Sequence, residues 1–124
     1  MKFQPLVVLG VAVILSAGCT DNATAVADAR RLRVTASDTE CLVSAVSAPS
    51  GTLTFAVTNT GSLANEFYLL AGDGQRVIAE VENIGPGLTR ELVLNAPAGS
   101  YFSVCKPGMV GQGIRTGFLV TDSG

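Results

Sequence analysis

From Leu32 onward the chain alternates between apolar and polar residues. Leu32, Val34 and Ala36 interleave with Arg31, Arg33 and Thr35, the pattern of a half-buried strand. Ser37 to Glu40 reads as a turn, and Cys41 opens a second strand through Val46. Pro49-Ser50-Gly51 is a turn by composition. Leu53, Phe55 and Val57 then alternate with Thr52, Thr54 and Thr58, a run rich in β-formers. Glu66 to Leu70 is a further strand. Gly72-Asp73-Gly74 gives a hairpin signal, and Arg76 to Glu82 is the returning strand. Gly85-Pro86-Gly87 breaks the chain before a strand from Leu88 to Leu94. There Leu88, Leu92 and Leu94 share a face with Arg90, which requires an exposed strand end or another register. Pro97-Ala98-Gly99 turns into Tyr101 to Cys105, a glycine-rich loop covers Pro107 to Gly113, and Ile114, Thr116, Phe118 and Val120 mark the last strand. About eight short strands separated by turn signals predict an all-β Greek-key sandwich, with Phe55, Phe67, Phe102 and Phe118 as its large core members.

The first residues follow a different rule. Lys2 precedes an unbroken run of apolar residues and glycine from Leu6 to Leu15, and Ala17-Gly18-Cys19 ends it. A basic start, an apolar core and small residues before a cleavage point build a secretory signal peptide. The run is shorter than the roughly 20 residues of a membrane span. Ala17-Gly18-Cys19 resembles the lipobox of bacterial lipoproteins, in which the cysteine is diacylated, although Ser16 stands where that pattern prefers leucine. Cleavage near Ala17 with simple secretion is the alternative. The expected organisation is a signal peptide over 1–18, a tether over 19–30 with a short helical turn as its variant, and one domain over 31–124. Both readings place the domain outside the cytoplasm, on the cell-envelope side, where disulfides persist.

Removing the leader changes the charge. Seven basic side chains then face ten acidic ones, a net of −3. That balance lacks the basic face a nucleic-acid partner requires and favours cations. The chain has no histidine, which excludes Ser-His-Asp hydrolysis and His-ligated zinc catalysis. Setting Cys19 aside as the lipid site leaves two cysteines, Cys41 and Cys105, each at a strand end. Cys105 is followed by Lys106-Pro107-Gly108-Met109, and a cysteine closing a late strand before a tight loop is where a cupredoxin places its metal-binding thiolate. Glu80 and Glu82 lie two apart on a strand and project from one face. Glu66, on the hairpin partner, adds a third carboxylate.

These residues carry a resemblance. Thr58-Asn59-Thr60-Gly61 followed by Glu66-Phe67, then Glu80-x-Glu82-Asn83-Ile84-x-Pro86-Gly87, then Gly99-x-Tyr101-x-x-x-Cys105, resembles the EfeO-type cupredoxin-like domain. That domain forms the N-terminal part of the periplasmic component of the bacterial EfeUOB iron-uptake system. The resemblance runs from about Arg31 to Val120 and implies a stand-alone form without the imelysin-like domain that follows in the full family protein. Ordinary cupredoxins hold copper with two histidines, a cysteine and a weak methionine, a set this chain cannot build. Glu66 takes the place of the first histidine, and Cys105 matches the ligand cysteine. The resemblance therefore implies a metal centre of Cys41, Glu66 and Cys105, with Glu80 or Glu82 nearby, for copper or iron. A soft thiolate favours those ions over calcium or magnesium.

The resulting expectation is an exported, lipid-anchored metal-binding module linked to iron uptake. Its partners are the metal ion and, through Cys19, the membrane. The alternative is a non-metal interaction module at the membrane surface, in which Cys41 and Cys105 form a disulfide, the ordinary fate of two cysteines in a small exported domain. A third class, a redox enzyme oxidising Fe(II) through bound copper, rests on the family's setting alone. Met109 reads as loop packing, and Lys106 and Arg115 as surface charges able to balance the carboxylates.

Overall fold

The structure, a computed structural model, describes Gly10 and residues 22–122. A helix, α1 (Asn22–Ala29), precedes nine strands: β1 (Arg31–Ala36), β2 (Cys41–Val43), β3 (Ser47–Pro49), β4 (Gly51–Asn59), β5 (Asn65–Ala71), β6 (Val77–Ile84), β7 (Thr89–Ala96), β8 (Gly99–Cys105) and β9 (Ile114–Thr121). A 3₁₀ turn at Pro107–Met109 lies between the last two. The strands form a four-stranded sheet, β2-β1-β4-β7, and a five-stranded sheet, β3-β9-β8-β5-β6. Pairing is antiparallel except between β1 and β4 and between β3 and β9. The fold is an all-β sandwich of two sheets, as the alternating pattern predicts.

Alternation turns Leu32, Val34 and Ala36 of β1 and Leu53, Phe55 and Val57 of β4 inward. Phe55 meets Phe67 and Phe118 of the facing sheet, with ring centroids 5.2 and 5.4 Å away. This aromatic contact ties the two sheets at their centre. Phe102 is not part of that core. Tyr101, Ser103 and Cys105 point inward along β8, so Phe102 falls on the outer face, half-buried beneath Arg115. Period two along β8 requires this, and the expected core position for Phe102 is corrected.

Three other expectations are refined. The strand predicted from Cys41 to Val46 stops at Val43, and a separate strand, Ser47–Pro49, follows in the other sheet, because the chain crosses the sandwich there. Ser44 N–H still donates to Arg33 O of the first sheet at 2.8 Å, while Val46 O already accepts Leu119 N–H of the second at 2.9 Å. Pro49, which lacks an N–H, ends β3 at the sheet edge, where no donor is needed. Arg90 belongs to an exposed strand end, with Leu88 also exposed, and its guanidinium donates to Glu82 O at 2.8 Å. Within the expected tether, residues 22–29 are helical, and Arg30 anchors the helix end by two bonds to Ser50 O at 3.0 and 2.6 Å. Apart from Gly10, the leader lies outside the described residues, as does Cys19.

Candidate functional site

The hairpin signal at Gly72-Asp73-Gly74 folds as predicted. Asp73 Oδ1 accepts the N–H groups of Gln75 and Arg76, and Ala71 N–H donates to Arg76 O at 2.8 Å. This closes β5 onto β6 and sets Tyr68 opposite Glu80. On the other side of β5, Phe67 lies opposite Cys105 and Tyr68 opposite Val104. Neighbouring residues on a strand point to opposite faces, so this register divides the candidate residues into two groups.

The inner group is Cys41 and Cys105. Cys41 starts β2 in the four-stranded sheet, opposite Ala36, and Cys105 ends β8 in the five-stranded sheet. Their sulfurs are joined in a disulfide, with Cα atoms 5.5 Å apart and a sequence separation of 64. Cys105 is fully buried and Cys41 nearly so. Of the two fates open to this pair, the structure has the disulfide, which stitches one sheet to the other.

The outer group is Glu66, Tyr68, Glu80 and Glu82. Glu66 is only 8% exposed and sits where β5 is bulged relative to β6. Its carboxylate accepts the Tyr68 hydroxyl, and its backbone is fixed by bonds from Lys106 N–H and to Asn65 Oδ1, at 2.9 and 3.0 Å. Burial holds the Tyr68 hydroxyl well above its ordinary pKa, helped by the bond to Glu66 and by the charges of Glu66, Glu80 and Glu82. Lys106 Nζ caps the ring of Tyr68, 4.9 Å from its centroid. Glu80 and Glu82 are exposed.

The expected ligand set is therefore not assembled. Glu66 shares the outer face with Tyr68, whereas the two sulfurs are bonded to each other on the inner face. The carboxylate and the sulfurs are separated by the sheet itself. Among the described residues, no three histidine, cysteine, aspartate or glutamate side chains converge to hold a metal. Copper fits poorly: there is no histidine, neither sulfur is a thiolate, and Met109 sits in the 3₁₀ turn with φ of 56°.

Two residues were legible in kind but not in role. Tyr68 reads as one more apolar member of Glu66-Phe-Tyr-Leu-Leu70, although its spacing of two from Glu66 already places both on one face. Asn59 is fully buried and pins two loops, its Nδ2 donating to Leu63 O and to Ile84 O at 2.7 Å each, and its Oδ1 accepting Gly61 N–H at 2.9 Å. Gly87 N–H also donates to Asn59 O at 2.8 Å, and Asn83 and Gly87 take positive φ to make that turn. Thr58-Asn59-Thr60-Gly61 and Asn83-Ile84-x-Pro86-Gly87 are thus parts of one loop closure. They build the scaffold and leave the outer face to carry chemistry.

The family model of the cupredoxin-like domain matches residues 6–120. Iron uptake system component EfeO of Yersinia pestis is 33% identical over 79 residues, which are 64% of this chain and 20% of that protein. The EfeO component of Escherichia coli strain K12 is 31% identical over 97 residues, 78% of this chain and 24% of its own length. The chain thus spans about a fifth to a quarter of the curated relatives it matches. Among solved structures, reduced auracyanin from Roseiflexus castenholzii superposes with a TM-score of 0.61 at 17% identity, covering 74% of this chain and 97% of that one. Auracyanin A, a blue copper protein of Chloroflexus aurantiacus, does so with a TM-score of 0.51 at 17% identity, covering 73% and 99%. At that identity the likeness is one of fold.

Proposed function

Because this chain belongs to the cupredoxin-like family and its domain is of the EfeO type, we propose that it is an exported, disulfide-locked module serving an iron-uptake system, held at the membrane by a lipidated Cys19. The observation that carries this reading is the bond between Cys41 and Cys105, a structural link that leaves neither sulfur as a thiolate. No copper-dependent step follows, because the donor set does not fit copper. Among the described residues, no helix is long and apolar enough to cross a membrane.

One experiment tests both halves. Intact mass of the protein isolated from the cell envelope is expected to show a diacylglycerol on Cys19, two hydrogens fewer than the dithiol form, and no thiol reactive to alkylation. Two free thiols with stoichiometric copper uptake would replace this reading with the thiolate centre, and an unmodified Cys19 would remove the anchor.

Iron as cargo would meet separate oxygen donors on the outer face, Glu66, Tyr68, Glu80 and Glu82, which suit a hard cation although no three of these acids converge on one point in this structure. Ferric ion binding is then expected to weaken in Glu66→Gln and to persist in the double variant Cys41→Ser, Cys105→Ser. The reverse pattern would return the cargo to the sulfurs.

A further inference from the structure

The outer face of the five-stranded sheet is polar in the electrostatic sense. Register places Glu80 of β6, Tyr68 of β5, Val104 of β8 and Arg115 of β9 in one row across it. Three strand spacings put about 14 Å between the acidic and basic ends of that row, more than the Debye length of about 8 Å at physiological salt. At the basic end is a concavity of about 320 Å³, floored by Leu70, Val77 and Val104, with Lys106 and Arg115 on its wall. This volume lies at the small end of the range for small-molecule sites.

Both cations are held but not neutralised. The Arg115 guanidinium lies 5.9 Å from the centroid of Phe102 and donates one bond to Gly74 O at 3.1 Å. Lys106 rests on Tyr68. Among the described residues, neither forms an ion pair. Aromatic support orders each side chain at low entropic cost while leaving most of its donors open. Gly111 and Gln112 of the loop also line the cavity, and their backbone N–H groups have no protein partner among the described residues. Two separated cations, free amides and an apolar floor between them match a short carbon skeleton bearing more than one carboxylate.

We propose that this concavity binds a small organic polycarboxylate, with Arg115 and Lys106 each taking one carboxylate and Leu70, Val77 and Val104 packing the carbon chain. The carboxylates of Glu66, Glu80 and Glu82 share this face from β5 and β6 but do not line the concavity, and Glu66 is already engaged by the Tyr68 hydroxyl. The proposal does not depend on iron uptake or on the state of the cysteines.

Citrate is the probe, titrated into the mature domain at low salt and followed by amide chemical shifts. Saturable shifts are expected at Tyr68, Gly111, Gln112 and Arg115. Affinity should fall by about tenfold or more in Lys106→Gln and in Arg115→Gln, the loss expected for one charge-assisted contact, and acetate should bind at least about tenfold more weakly than citrate. Unchanged melting temperature in Lys106→Gln separates loss of the contact from loss of fold, because that side chain bonds no backbone group. Absence of saturable shifts, equal affinity in Lys106→Gln and the parent, or acetate binding as tightly as citrate would overturn the proposal.

Discussion

At the scale of single residues, Glu66 and Tyr68 behave as one unit. Tyr68 is raised first by burial and then by its bond to Glu66 and the nearby carboxylate charges. Because its pKa is higher folded than unfolded, the protonated hydroxyl stabilises the fold fully below the ordinary tyrosine value of about 10. That contribution is lost as pH rises through the unfolded value toward the folded one. Tyr68 should therefore stay protonated in alkali that ionises a free tyrosine. In Glu66→Gln its titration should move down without reaching the ordinary value, because burial remains. The Tyr68 ring carbon signal in NMR reads this directly, and an unshifted titration would mean that Glu66 contributes nothing. The carboxylate was legible in the sequence as a candidate, since a glutamate heading an apolar strand stands out. Its partner was not, because a tyrosine within Phe-Tyr-Leu-Leu looks like core until the register assigns its face.

Elements show a different balance. Period-two alternation located most strands, including β4 and the β5–β6 hairpin, because one buried face imposes its pattern on every second residue. It misjudged the stretch from Cys41 to Val46, where the strand stops at Val43 and another of three residues, Ser47–Pro49, begins in the other sheet. A crossing between layers depends on which distant backbone supplies the next hydrogen bond, and no local pattern records that. The Asn59 pin is likewise a long-range object, joining the end of β4 to the end of β6. Asn59→Ala leaves the carbonyls of Leu63 and Ile84 and the Gly61 N–H without that partner, and buried groups left unpaired cost about 1–3 kcal/mol each. Stability should fall by about 2–4 kcal/mol, measured by denaturant unfolding. A loss near zero would mean that water takes over all three bonds.

The whole molecule is held by the aromatic contact at its centre and by one covalent link at its end. Closing so long a loop removes unfolded-state entropy worth about 4 kcal/mol in the chain-entropy model. The double variant Cys41→Ser, Cys105→Ser is expected to lose about that much, read as a shift of the unfolding midpoint at unchanged slope. A loss below about 1 kcal/mol would show that the reduced chain keeps its own compactness. The pairing of the two cysteines was one of two alternatives in the sequence. Composition could not choose between them, because either fate requires the same two residues at neighbouring strand ends. What decided it was the direction of β8, which turns Cys105 toward the opposite sheet and away from Glu66.

The same link gives the domain a sense of place. Its two halves come from opposite layers, so the bond closes only after both sheets have met, and only where thiols are oxidised. A chain still in a reducing compartment lacks a large share of the roughly 5–15 kcal/mol that keeps an ordinary domain folded. On the proposed export route, the reduced chain is the less stable form until the bridge closes in an oxidising compartment.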